Sequence, residues 1–487
     1  LEQVLFGGYY DLLNDTDTEY NSLVGGYLWT ATETWRAKIV STDGVIKHLR
    51  VKLSGAPGGT DKYTFTLMLN ENPTALTFDI VGAATTGSNM VNEITVTGSD
   101  LVSLRCIPTD TPTPVYATWS CVFEGDTAAE SLIQGGSGFA LSNSATEYCQ
   151  VMGGSNYGIT ELNYRQVVPT SGTIKNFYVW IQLDPGTDPD AYRFTVRLNG
   201  ATVAQSLIVT ITANDTTGND LVHNLVVVAD DILTMMIEPL NGPSVSPPAI
   251  WGMTFVADTD GESIILGATS NNLPQVDTEY NSILPGQDLQ LWIANENECY
   301  QLGQVCTLKK FYVLLAGSPG AGNKYDFTIR LAGADSNVVT TIAEAATTGN
   351  SGALEDTVAL DEYVSLEVDP DSSPTIRDAY WGLVCYIEPP LEDGTADLLG
   401  EFVIPAIYSI TGITKDRAGN RLGNCEVALF RMMIGSPPTY LFIESGMSDG
   451  NGDYSFTNLI KTKYFVRAQK DGSPNVFDTT DNEVESA

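Results

Sequence analysis

Histidine is nearly missing from this chain, which has only His48 and His223 in 487 residues. Neither sits in a motif that frames a Ser-His-Asp triad, and both read as solvated or edge residues. Positive charge is also scarce, with 24 Lys and Arg against 60 Asp and Glu and a net charge of −36. Such a surface repels nucleic acid and anionic membranes and suits a soluble, extracellular-type protein. No apolar run approaches the roughly 20 residues that span a bilayer, so no membrane insertion is expected. There is no GxGxxG at a strand–helix junction and no GxxxxGK[ST] loop, so nucleotide binding has no support. Carboxylate pairs are so frequent that none stands out as a glycosidase pair.

Cysteine is sparse and odd in number, at seven. No CxxC pair exists, which argues against zinc. Cys106, Cys121 and Cys385 align with Ile, Val, Met, Leu or Phe elsewhere in the chain and read as small buried hydrophobes. A Cys106–Cys121 bridge is the alternative, since both should face one core. Cys299 and Cys306 enclose a short hairpin-like stretch, where a disulfide and two free thiols are both open readings. No signal peptide is visible and the chain does not begin with Met, so Leu1 is expected to be a processed terminus or the first residue of a fragment.

What the chain does have is repetition. Lys62 to Asn70 reads Lys-Tyr-Thr-Phe-Thr-Leu-Met-Leu-Asn. It returns as Ala191 to Asn199 and as Lys324 to Ala332. In each copy Tyr, Phe, an aliphatic residue and Leu occupy alternate positions, the signature of a strand with one buried face. Thr18-Glu19-Tyr20, Pro57-Gly58, Thr85-Thr86-Gly87, Pro108 and Trp119 recur in the same order. The last two match Pro239 and Pro370, and Trp251 and Trp381. Pro108, Pro239 and Pro370 are spaced 131 residues apart. That is too long for a solenoid unit, so each copy should be a domain with its own core. Glu2, Glu130 and Glu262 open matching stretches, which places repeat boundaries near 1–127, 128–259 and 260–390.

Each repeat shows about eight short strands, polar turns and no convincing helix, which predicts an all-β fold of antiparallel jelly-roll-like sandwiches. The seams are short and acidic, so neighbours should sit close in an elongated, fairly stiff array. The Pro-rich acidic run from Glu388 to Gly394 leads into a linker, 391–406, and then a different pattern over 407–487. There Gly412, Asp416, Gly419-Asn420, the turn from Asp449 to Tyr454 and Tyr464-Phe465-Val466 resemble the carboxypeptidase regulatory-like, immunoglobulin-like module. The resemblance implies a smaller sandwich and says little about function. Some similar modules carry a Lys–Asn isopeptide bond, but the glutamate-bearing segment that would accompany Lys415 is absent.

Two acidic loops qualify as ion candidates. Asp449, Asn451 and Asp453 alternate oxygen ligands around glycines, as calcium loops do, but the downstream bidentate Glu is missing. A turn closed by side-chain-to-backbone bonds explains the same residues and is the preferred reading, with calcium the lesser one. Asp184, Asp188 and Asp190 are weaker still. The Thr-Glu-Tyr copies are open to a binding site per repeat, although a buried, hydroxyl-bonded Tyr is the simpler account.

Across most of the chain the arrangement resembles bacteriophage and other virion structural proteins, in which such repeats occur in fibre or decoration proteins. The repeats are also similar in pattern to trimeric tumour-necrosis-factor and C1q-like heads, which implies a homo-oligomer, a trimer by fold analogy. The resemblance implies a non-enzymatic virion component that meets other virion proteins and a host surface glycan or receptor. A cell-surface adhesin or filament subunit, and a carbohydrate-binding portion of a secreted enzyme, are the alternatives.

Overall fold

The computed structural model describes residues 2–154, 156–269, 271–286 and 291–388, then 408–413, 421, 423–433, 439–459, 463–469, 478–479 and 484–485. The linker 391–406, Lys415, Asp416 and Gly419-Asn420 lie outside these residues. The chain divides into two compact units, Leu1–Pro389 and Pro390–Ala487.

Repeat one folds as eight main strands. They are Glu2–Tyr9, Glu19–Asn21, Gly44–Leu53, Gly58–Leu69, Asn72–Gly82, Thr86–Val96, Leu101–Thr109 and Ala117–Gly125. One sheet runs in the order first, eighth, third, sixth, and the other second, seventh, fourth, fifth, all antiparallel. This is jelly-roll connectivity. Repeats two and three follow it, except that the sixth strand is broken in two: Thr217–Asp220 with Leu225–Val227, and Thr348–Asn350 with Glu355–Val358. The protein is therefore all-β, built of tandem sandwiches.

The alternating motif is the fourth strand, and its apolar face lies where the pattern requires. Tyr63, Phe65 and Leu67 are fully buried, as are Tyr192, Phe194 and Val196, and Tyr325, Phe327 and Ile329. Register is identical in the three copies, with Tyr63 opposite Pro108, Tyr192 opposite Pro239 and Tyr325 opposite Pro370. Each proline lies beyond the point where the short second strand pairs with the seventh, so no ladder donor is lost there. The buried Tyr hydroxyls donate to loop carbonyls of Thr113, Val245 and Thr375 at 3.2, 2.8 and 3.3 Å.

The repeated Trp has an equally definite setting. Trp119, Trp251 and Trp381 stand opposite Gly7, Gly135 and Gly267. A Cβ at any of these glycines would lie 2.1–2.2 Å from the indole nitrogen. Each indole N–H donates to a carbonyl of the loop after the second strand: Ser22 at 3.0 Å, Val151 at 2.8 Å and Ile283 at 2.8 Å.

Two stretches that read as short strands from their apolar and aromatic residues hold little strand. The stretch from Tyr20 to Leu28 is a strand only over Glu19–Asn21. The stretch from Thr34 to Val40 holds a single 3-10 turn, Glu33–Trp35, and a two-residue strand, Lys38–Ile39. Matching turns, Glu161–Tyr164 and Glu296–Cys299, recur in the other repeats. Their first-turn acids accept hydrogen bonds from Ser103 (2.8 Å), Arg197 (2.7 Å) and Ser365 (2.8 Å), which pins each turn to its sheet.

The elongated array is also overturned. Repeat three touches repeat one as directly as repeat two does, through Arg50 with Asp361 and Gln304 with His48, 311 and 256 residues apart. The three sandwiches close on one another in a ring.

The second unit, by itself, pairs Tyr408–Ile413 with Asp453–Leu459, and places Glu426–Met433 between Thr439–Met447 and Lys463–Gln469. Two short strands, Asp478–Thr479 and Val484–Glu485, add to Lys463–Gln469. This too is antiparallel sheet.

Candidate functional site

The densest polar chemistry in the described residues lies at the seams of the ring. Each seam starts from a β-bulge in the third strand. His48, Asn176 and Lys310 occupy equivalent positions there with φ of 56°, 53° and 50°, where pairing with the eighth strand shifts register. The extra residue re-aims its neighbours. Lys47, Lys175 and Lys309, each directly before a bulge residue, reach the glutamate that opens their own repeat. Lys47 lies 2.6 Å from Glu2, Lys175 2.7 Å from Glu130 and Lys309 3.1 Å from Glu262. Glu130 and Glu262 are buried.

At the first two seams the same glutamate also accepts from the previous repeat. Thr42 donates to Glu130, and Thr170 donates to Glu262 at 2.7 Å. Lys310 adds a bond to Glu262 at 2.8 Å. Burial by itself would raise the Glu262 carboxyl, but the bonds from Lys310, Thr170 and Lys309 prevail and hold it below the usual range.

Buried amides complete these seams. Gln134 donates to the Ile39 carbonyl at 2.9 Å, and Gln3 and Leu132 exchange two bonds at 2.9 and 2.7 Å. Gln166 donates to Leu266 at 2.8 Å and Gln150 to Ala268 at 3.2 Å. The short two-residue strand of one repeat, Lys38–Ile39 or Gln166–Val167, rides over a bare position on the next. Cβ atoms at Gly252 and Gly382 would lie 2.5 Å from the Ile39 carbonyl and 1.9 Å from that of Val167.

The third seam closes differently. The Arg50 guanidinium forks onto both Asp361 oxygens, Nε lying 2.6 Å from Oδ1. Lys52 donates to the Asp361 carbonyl at 3.1 Å and sits 3.8 Å over the Tyr363 ring. Tyr363 in turn stacks on Tyr300, with centroids 4.5 Å apart. Gln304 donates to the His48 carbonyl at 3.0 Å.

Lys38 is the outlier among seam residues. Its Nζ is buried and donates to the Tyr27 hydroxyl at 2.8 Å and to Gly153 of repeat two at 3.4 Å. Repeats two and three place Gln166 and Gln301 at the same register position. Burial first, then the Arg36 charge, pulls the Lys38 pKa down to about 7.

The residues singled out from the sequence fall into structural roles. His48 is a bulge residue whose carbonyl serves a seam. His223 is half exposed, and its Nδ1 lies 2.9 Å from Asp220. Asp220 itself caps the turn by accepting from the backbone of Ile208, Val222 and His223. Glu19 and Glu147 of the Thr-Glu-Tyr copies accept from the backbone of Asn14 at 2.9 Å and Ser142 at 2.7 Å, closing the preceding loop. The Tyr of that triplet is only half-buried in all three repeats, so the expected buried Tyr is corrected to a loop-closing Glu.

Asp449 accepts from the backbone of Asn451 and Asp453 at 2.8 and 2.9 Å, while Asp453 pairs with Arg421 at 2.9 Å. Both carboxylates therefore serve the turn and a cation of the chain. Asp184 accepts from Gly186, and Asp190 from Ser244, again closing a loop. Among the described residues no group of three His, Cys, Asp or Glu could hold a metal ion, and no helix is long and apolar enough to cross a membrane.

All seven cysteines are buried, and Cys106, Cys121, Cys299, Cys306 and Cys385 are free thiols. Of the two readings open for Cys299 and Cys306 the structure has two thiols: Cys299 lies on the 3-10 turn, whereas Cys306 starts a strand and neighbours Cys385. Cys106 and Cys121 likewise remain thiols. Sequence reasoning missed Lys38, Thr42, Thr170, Arg50 and Asp361. It had used Glu2, Glu130 and Glu262 only as boundary marks, although their recurrence was the available signal.

No protein-family model matches the chain. A search of curated proteins likewise returns no match.

Proposed function

We propose that this chain is a non-enzymatic structural protein that works on the outside of a particle, as a virion decoration, fibre or appendage. One observation carries the reading: three copies of one sandwich close into a ring within a single polypeptide. The seams that hold this ring are closed by buried acids and amides, Glu130, Glu262, Gln134 and Gln166 among them. A ring of three places every loop of the blueprint three times around one axis, which multiplies weak contacts into avidity. The trimeric heads that the repeats resemble assemble three chains for that purpose; here one chain supplies all three sandwiches.

The partners in this reading are other virion proteins and a host surface glycan or receptor. A net charge of −36 disfavours nucleic acid and anionic membrane.

Imaging of the native particle at a resolution that traces this chain tests the proposal. Density for the three-sandwich ring on a capsid or tail supports it. The same chain found only on a cell envelope transfers it to an adhesin. Turnover of an ester, peptide or glycan substrate that is lost on replacing His48 or His223 overturns the non-enzymatic reading.

A further inference from the structure

The three repeats serve as controls for one another, and one exposed edge breaks their agreement. In each repeat the last stretch of the sixth strand ends a sheet and pairs only with the third strand. These stretches align residue by residue: Val96, Val227 and Val358 stand opposite Gly44, Gly172 and Cys306. Their outward rows are therefore equivalent. Repeat one shows Glu93, Thr95 and Thr97 to solvent, and repeat three shows Glu355, Thr357 and Ala359. Repeat two shows Asn224, Val226 and Val228 in the same places, with Val226 64% and Val228 51% exposed.

An open sheet edge is a template for another strand, and a carboxylate on it is a common guard. Two repeats keep that guard. Repeat two lacks it and carries two valines, residues that favour strand pairing. The turn leading into this edge adds to the patch. Asp220 caps it, and it holds Leu221 at 52% and Val222 at 83% exposure. The stretch Leu221 to Ala229 carries no Asp, Glu, Lys or Arg in a chain whose net charge is −36.

We propose that the edge strand Leu225–Val227 of repeat two is a self-association site, where two copies of this chain pair edge to edge and antiparallel. The charge pattern selects the occupant. A cationic partner gains from carboxylates and would favour the guarded edges of repeats one and three. An equally acidic partner is repelled by them and approaches most easily where charge has been removed. A second copy of this chain is such a partner. An antiparallel pair about a two-fold axis sets the valine row of one copy beside that of the other, a self-complementary, closed contact. The strand is short, so the dimer is weak, in the micromolar range. Added salt strengthens it by screening the repulsion between the two acidic bodies.

Sedimentation of the full chain at tens of micromolar, in low and in high salt, is the test. The expected result is a monomer–dimer equilibrium that shifts toward dimer with salt. A triple variant, Asn224→Glu, Val226→Thr and Val228→Thr, installs the row that repeat one already carries. It should stay folded, with an unchanged melting temperature within a few degrees, and remain monomeric. The mirror-image change in repeat one, Glu93→Asn with Thr95→Val and Thr97→Val, should add a second association step. A wild-type chain that is monomeric at every concentration and salt overturns the proposal, as does a dimer that the repeat-two variant leaves intact.

Discussion

A pair of sulfurs does in repeat three what a ring and a glycine do in the other two. Gly44 and Gly172 face Phe123 and Phe255 so closely that a Cβ would lie 2.8 and 2.6 Å from the ring. Repeat three has Cys306 for the glycine and Cys385 for the phenylalanine, so the volume lost on one strand returns on the other. Cys385→Phe alone should therefore overpack this core and cost about 1–3 kcal/mol. Adding Cys306→Gly should restore most of the loss, a coupling that denaturant titration of the two singles and the double will measure. Lys38 makes a second residue-scale prediction. Its folded pKa of about 7 lies below the ordinary 10.5, so the unfolded chain binds more protons between those values. The stability of wild type relative to Lys38→Met should then fall as pH drops from about 10 to 7 and level off below 7, where both states carry the proton. A difference flat in pH would show that Lys38 is not held in that buried state.

Among the elements, the third-strand bulge links sequence to assembly. One extra residue per repeat turns a lysine onto the glutamate that opens the repeat, and at two seams that glutamate also takes a threonine from the neighbour. Glu262→Gln removes the charge that Lys309 and Lys310 both bond while keeping the shape. It should destabilise by about 2–3 kcal/mol, the range of charge-assisted bonds whose partners are only partly buried. Because its folded pKa is depressed, Glu262 stabilises above the ordinary value of 4.5, and that contribution is lost as pH falls through the lower folded value. In Glu262→Gln the acid limb of a stability–pH curve should be shallower; an unchanged limb would contradict the assignment. The alternating strands were legible because period two leaves one solution for Tyr63, Phe65 and Leu67. The 3-10 turns were not, because Glu33 carries no local signal and is held by a bond from Ser103 on a distant strand.

For the Leu1–Pro389 unit as a whole, the ring is the property that matters, and its size is a direct check. A compact body of this length has a radius of gyration near 21 Å, whereas three sandwiches in a line give a clearly larger value. Small-angle scattering of a fragment ending at residue 388 separates the two. The closing seam can be probed through Arg50→Ala and Asp361→Ala. Their double-mutant cycle should show a coupling of about 1–3 kcal/mol despite a separation of 311 residues. Additive effects would mean that repeats one and three do not meet.

Alternation, repeated turns and the spacing of Pro108, Pro239 and Pro370 determined an all-β chain of copied sandwiches, because strand periodicity and turn chemistry are local. The same information pointed to a line of domains, since short linkers constrain neighbours and say nothing about the first repeat and the third. Only the tertiary structure decided that the chain closes on itself. Contacts such as Arg50 with Asp361 and Gln304 with the His48 carbonyl join residues unrelated in sequence, and a backbone carbonyl can accept them whatever side chain it carries. For the same reason the seam glutamates looked like boundary marks until the fold set a threonine and two lysines around one of them.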